Sequence, residues 1–259
     1  MYTTVELKKE GRFARLTLNR PTSMNAMDDV MMKEVADVFE ALKDDRTVQV
    51  LMIQGAGRAF SAGGDIKAMV DPNSPLDIGK VMVDVSRLAK ALYTLPQITI
   101  AVVHGAAAGL GFSLVLGCDI IIAEEDSKLA MNFIGIGLVP DGAGHFFLKE
   151  RVGVPQAKNL IWSGKVMNGS EALAKGLIDE VVAEGKAAEY GEAYAQKLLA
   201  SPIASMIASK NILHTQNIAE LENILIMESE AQVAMRKTSD HIEGIQAFVE
   251  KRKPVFMGK

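Results

Sequence analysis

Arg58-Ala59-Phe60-Ser61-Ala62-Gly63-Gly64-Asp65-Ile66 and His104-Gly105-Ala106-Ala107-Ala108-Gly109-Leu110-Gly111-Phe112 are the two stretches on which the reading of this chain turns. Each follows an apolar strand-like run, at 48–53 and at Ile98–Val103, and each precedes helix-like sequence. Small residues let a main chain approach a ligand closely, and the first turn of a helix leaves N–H groups without intrahelical acceptors. Two such amides, one from each stretch, can converge on one oxygen. An oxygen that becomes negative in a transition state gains most from donors already fixed in a dry site, and losing one costs about 3 kcal/mol of barrier lowering. The plainer alternative is a pair of tight turns that pack a helix closely on a strand. Neither stretch ends in the Gly-Lys-Ser/Thr of a phosphate loop, and residues 105–111 do not give the dinucleotide pattern G-x-G-x-x-G.

Outward from these turns, strand and helix signals alternate. Phe13–Leu18 is strand-like and is broken by Asn19-Arg20-Pro21-Thr22-Ser23. Asp28 or Asp29 can cap a helix whose Met31, Val35, Val38, Phe39 and Leu42 form one apolar stripe, with the methionines read as core filler. Residues 81–92 read as helix and 119–123 as a buried strand. From about residue 190 the chain is almost wholly helical. Ser201-Pro202 reads as an N-cap followed by proline at the first helical position, and Asn168-Gly169-Ser170-Glu171 and Asp240-His241-Ile242-Glu243 resemble capping boxes. The expectation is an α/β body over 1–200 and a helical region over 201–259.

At 259 residues, 49% hydrophobic and 23% charged, the chain can build one large core. A net charge of −4 argues against nucleic acid or an anionic membrane as the main partner, while leaving room for a small anionic ligand in a local pocket. The single Cys118 cannot form an intrachain disulfide and reads as a buried thiol; four scattered histidines give no metal-ligand cluster. No signal-like or bilayer-spanning stretch is evident, so the expectation is a soluble cytoplasmic protein.

Several motifs in order carry a resemblance: Asn19-Arg20-Pro21 with Asn25-Ala26, then Ala59 to Lys67, Val103 to Gly111, Gly117-Cys118-Asp119-Ile120, Gly137-Leu138-Val139-Pro140-Asp141-Gly142, and the closing Ala247-Phe248-Val249-Glu250-Lys251-Arg252-Lys253-Pro254. Together they resemble the enoyl-CoA hydratase/isomerase (crotonase) family over essentially the whole chain. The resemblance implies an α/β spiral of ββα units, a C-terminal helical region serving oligomerisation and covering the active site, and a homotrimer or dimer of trimers. It implies an acyl-CoA thioester substrate, with coenzyme A arriving as part of that substrate and no other cofactor. It places the oxyanion-binding amides on Gly64 and Leu110, and it lines the path of coenzyme A with Ala26, Ala62, Gly64, Asp65, Ile66 and Lys67. Lys67 also reads as an ordinary solvated helix residue.

The reaction is where the sequence departs from the family. Family hydratases carry two glutamates at places that here read Ser113 and Phe133, and neither side chain is an acid or base at neutral pH. Asp141 remains. Local sequence reads it as the N-cap of a helix running to about Arg151, whereas some family isomerases carry their acidic residue at the matching place. Phe133 would help build an apolar pocket around it, raising its proton affinity, while a helix N-terminus would lower it. His145 is read as a surface or packing residue that can also reach Asp141, Ser113 as a small core residue, and His104 as a turn residue supporting the second strand. The expectation is double-bond isomerisation with Asp141 as proton carrier. The alternatives are an atypical hydratase, with water held by Asp141 or Ser113, and a non-catalytic acyl-CoA-binding protein. The segment 71–75 is expected to shape the acyl pocket.

Overall fold

The computed structural model describes residues 2–66 and 77–259; Lys67 and the segment 71–75 lie outside them. Strands β1 (Val5–Glu10) and β2 (Phe13–Leu18) form an antiparallel hairpin. From β2 the sheet continues in parallel through β3 (Val50–Gly55), β4 (Ile98–Val103), β6 (Ile120–Glu124) and β8 (Glu180–Val182). Parallel neighbours need crossovers, and helices supply them. Helix α1 (Asp29–Lys43) links β2 to β3, α2 (Ile78–Tyr93) lies between β3 and β4, and α3 (Leu110–Leu116) precedes β6. A second, two-stranded parallel sheet pairs β5 (Ala106–Ala108) with β7 (Lys128–Ala130). Helices α4 (Gly144–Ser163) and α5 (Gly169–Ala174) lead into β8, and α6 (Ala187–Leu199), α7 (Ile203–Met235) and α8 (Ser239–Glu250) complete the chain.

The middle of the large sheet is covered on both faces, which is why β3 and β4 are apolar almost throughout, whereas the edge strand β1 carries Glu6, Lys8, Lys9 and Glu10. All six residues of β4 are buried. On one face Leu16, Leu18, Leu51 and Ile53 meet the stripe Met31, Val35, Val38, Phe39 and Leu42 of α1, all fully buried. On the other, the alternate residues Val50, Met52, Ile100 and Val102 meet Ala195, Leu198 and Leu199 of α6. The period-two geometry of a strand thus divides one apolar sequence between two cores.

The Asp28 side chain accepts the Met31 N–H at 2.9 Å, and Asn168 and Glu171 form the expected capping box. Two expectations are corrected. Pro202 itself takes the N-cap position, with α7 beginning at Ile203. The last helix is capped by Thr238 instead of Asp240, whose carboxylate accepts the N–H groups of Met257 and Gly258 in the tail. Helix α4 runs beyond Arg151 to Ser163, with a break at Gly153 (φ 72°, ψ 162°) two residues before Pro155. Among the described residues no helix is long and apolar enough to cross a membrane.

The 33-residue α7 is fastened to the sheet by buried polar contacts. Lys210 Nζ donates to Asp119 Oδ2 at 2.6 Å and to the Gln97 carbonyl at 2.7 Å. Further along the same helix, Glu228 meets the residues that open α4.

Candidate active site

The two glycine-rich turns are joined by main-chain hydrogen bonds. Ser61 N–H donates to the Ala106 carbonyl at 2.9 Å, and Ala108 N–H donates to the Ser61 carbonyl at 3.0 Å, forming a parallel bridge between Ser61 and Ala107. Gly64 and Leu110 each lie three residues beyond that bridged pair, and both border the same cleft. Leu110 opens α3, so its N–H has no intrahelical acceptor. The close approach requires glycine. A Cβ on Gly63 (φ 94°) would lie 2.6 Å from the Ala108 carbonyl oxygen, and one on Gly111 would lie 2.8 Å from Ser61. Gly109, at φ 51° and ψ −125°, turns the chain into α3 through a conformation that side-chain-bearing residues avoid.

A second support lies beneath the first turn. Asn25 is fully buried; its side chain donates to the Ala56 and Ala59 carbonyls at 2.9 and 2.8 Å and accepts the Arg20 N–H at 2.9 Å. Arg20 pairs with Asp28 and Asp65, each at 3.1 Å, and donates to the Ala26 carbonyl. His104, just after β4, places Nε2 2.9 Å from the Gly57 carbonyl and so ties the end of that strand to the approach of the first turn.

The cleft has a volume of about 210 Å³. Of the residues assigned to it from sequence, Ala62, Gly64, Asp65, Ile66, Leu110, Phe133 and Asp141 border it. Ala26 is buried just behind, and Met27 takes its place at the wall. Lys67 lies outside the described residues. Met32 also faces the cleft, so one methionine of α1 does more than fill the core. Val81, Val85, Ile136 and Leu138 make the remaining wall largely apolar. Phe133 sits in a 3₁₀ turn (Phe133–Ile136) with its ring beside Gly109.

Asp141 is not an N-cap. The N-cap of α4 is Ala143, in the left-handed conformation (φ 63°), and the capping carboxylate comes from Glu228 of α7. Released from that task, the Asp141 side chain is buried at the cleft with Oδ1 lacking a hydrogen-bond partner. Burial, reinforced by the negative charge of Glu228 and opposed by Arg236, pushes its pKa up to about 8. Burial therefore wins over the helix terminus. Ser113 is fully buried and donates through Oγ to the Asp141 main-chain carbonyl at 2.7 Å; it holds the residue from behind instead of meeting a ligand. His145 bonds Glu228, with Nδ1 at 2.8 Å, and not Asp141.

Sequence reasoning missed Glu228 and Arg236, which reach the site from a helix more than eighty residues away. Among the described residues no group of three or more His, Cys, Asp or Glu side chains is placed to hold a metal ion. The arrangement offers two main-chain turns, an apolar wall and one carboxyl of raised proton affinity. Residues 8–259 match the enoyl-CoA hydratase/isomerase family. The chain belongs to that family. It is 44% identical to the Bacillus subtilis protein YhaR, whose name carries both reactions of the family, over 97% of this chain and 98% of that one. It is 34% identical to the 1,2-epoxyphenylacetyl-CoA isomerase of Escherichia coli, over 94% of each. A crystal structure of an enoyl-CoA hydratase from Mycobacterium avium subsp. paratuberculosis superimposes with a TM-score of 0.90 at 29% identity, covering 99% of this chain and all of that one. The crotonase fold and an enzyme of the enoyl-CoA hydratase/isomerase family are thereby shown, and relatives named for either reaction stand at similar distance.

Proposed function

We propose that this member of the family shifts the double bond of an enoyl-CoA, with Asp141 carrying the proton. The supporting observation is Asp141, among the described residues the one buried carboxyl that borders the cleft, with Ser113 and Phe133 where family hydratases carry glutamates. In this reading the Gly64 and Leu110 amides hold the thioester oxygen. Ionised Asp141 takes a proton from one carbon flanking the alkene, and the electron pair passes into the thioester to give a dienolate whose charge the two amides stabilise. The double bond re-forms one position along as Asp141 returns the proton two carbons away. One group serves both steps, so no net proton is exchanged with the site. A proton affinity close to that of the medium suits a group that must both accept and release.

Coenzyme A enters as part of the substrate, past Ala62, Asp65 and Ile66, and no other cofactor takes part. The working protein is a cytoplasmic homotrimer or dimer of trimers, a reading supported by the exposed apolar side chains Trp162, Ile212 and Leu213. The test is product analysis by mass spectrometry of trans-2-, cis-3- and trans-3-enoyl-CoA in deuterated water, for the wild type and Asp141→Asn. A shifted double bond without the mass of water, lost in the variant, is the expected result. A 3-hydroxyacyl product would replace the reading with hydration, and binding without any turnover would leave a carrier of acyl-CoA.

A further inference from the structure

We propose that Glu228 is the positioning residue of this site: its buried carboxylate caps the helix that follows Asp141 and so fixes the turn that aims Asp141 into the cleft. Glu228 is 2% exposed. Its Oε2 accepts the Ala143 N–H at 2.8 Å; its Oε1 accepts the His145 N–H at 3.0 Å and lies 2.8 Å from His145 Nδ1. Three donors on the first residues of α4 therefore converge on one side chain from α7. Capping of this kind ordinarily comes from a residue just before the helix. Here that place is occupied by Ala143 in a left-handed conformation, directly after Gly142 (φ 64°). Two successive left-handed residues make a reversal that Ala143 favours only under constraint, and Glu228 supplies the constraint. Without it Asp141, two residues upstream, keeps the bonds its main-chain carbonyl accepts from Ser113 Oγ and from the Gly144 N–H, and neither fixes the left-handed turn at Ala143.

The same carboxylate sets the charge that Asp141 meets. Glu228 and Arg236 face it from α7 and its end, His145 shares the head of α4, and Asp28, Asp29 and Asp65 also border the cleft. Among these, Glu228 is the anion that opposes ionisation of Asp141 and Arg236 the cation that favours it. Glu228 thus acts twice through Asp141, by direction and by charge, and touches no reacting atom.

This inference rests on Asp141 being the proton carrier, so the test separates the two. Protein labelled with ¹³C at the aspartate side-chain carboxyl is titrated by NMR without ligand, the Asp141 resonance being the one absent from Asp141→Asn. Glu228→Gln, which keeps the shape and removes the charge, is expected to lower the Asp141 titration midpoint by about one pH unit or more. Glu228→Asp keeps the charge but withdraws it by one methylene. It is expected to lower kcat on cis-3-hexenoyl-CoA by about tenfold or more, with the Kd for butanoyl-CoA within about twofold. An unmoved midpoint in Glu228→Gln, or equal losses of binding and turnover in Glu228→Asp, overturns the assignment. If the wild type shifts no double bond, the functional reading fails while the titration still decides the role of Glu228.

Discussion

Replacing Asp141 by asparagine should make the protein's stability less dependent on pH, and the size of the effect follows from its burial. In the folded chain the carboxyl titrates near 8, against a reference value of 3.8. A native pKa above the unfolded one means that the folded state holds a proton the unfolded state has released. The associated stability is fully present below about pH 4 and is lost as pH rises to about 8. Over most of that interval one proton separates the two states, so the loss runs at about 1.4 kcal/mol per pH unit. The full shift of about four units sets an upper bound of about 6 kcal/mol, and between pH 5.5 and 7.5 the wild type should lose about 3 kcal/mol on this account. Asparagine has no such proton. Urea denaturation at matched protein concentration, at half-unit steps from pH 5 to 8.5, should therefore give two curves that diverge steadily, with the variant gaining on the wild type as pH rises. Parallel curves would mean that Asp141 is hydrated and ordinary, and the argument for it as a proton carrier near neutrality would go with them.

Gly111→Ala should push the two turns apart, since its Cβ would lie 2.8 Å from Ser61; about 1–3 kcal/mol of destabilisation, read by calorimetry, should accompany a loss of activity. Asn25→Ala leaves the buried Ala59 carbonyl and the partly buried Ala56 carbonyl without their side-chain donor and should cost about 1–3 kcal/mol in urea unfolding. Cys118 is 3% exposed, with burial pushing its thiol up to about 12, so it should resist alkylation at pH 8 in the folded protein and react promptly once unfolded.

The parts of the fold written in local sequence were readable there. The stripe of α1 and the uniformly apolar β4 follow from periodicity, and Asn168-Gly169-Ser170-Glu171 states its own cap. The triplet Ala106–Ala108 gives no such signal: alanine has little preference for a strand, and these residues become one because Ser61 and β7 offer main-chain partners. The glycine-rich turns could be singled out, but their joining by the Ser61–Ala107 bridge is a tertiary fact. Asp141 shows the limit most clearly. Its local sequence reads as an N-cap, and only a glutamate from a remote helix releases it from that role. Local preference names the task, and long-range contact decides which residue performs it.

The span between Ala143 and Glu228, 85 residues along the chain, also orders events in time. Both glycine-rich turns, the strands that carry them and Asp141 itself emerge from the ribosome well before α7 does. At a synthesis rate of roughly 5–20 residues per second, the thioester-holding half can assemble several seconds before the proton-handling half is complete. A growing chain thus passes through a stage able to grip an acyl group with no aimed acid beside it. Helix α7 closes that interval when it delivers Glu228 to the head of α4.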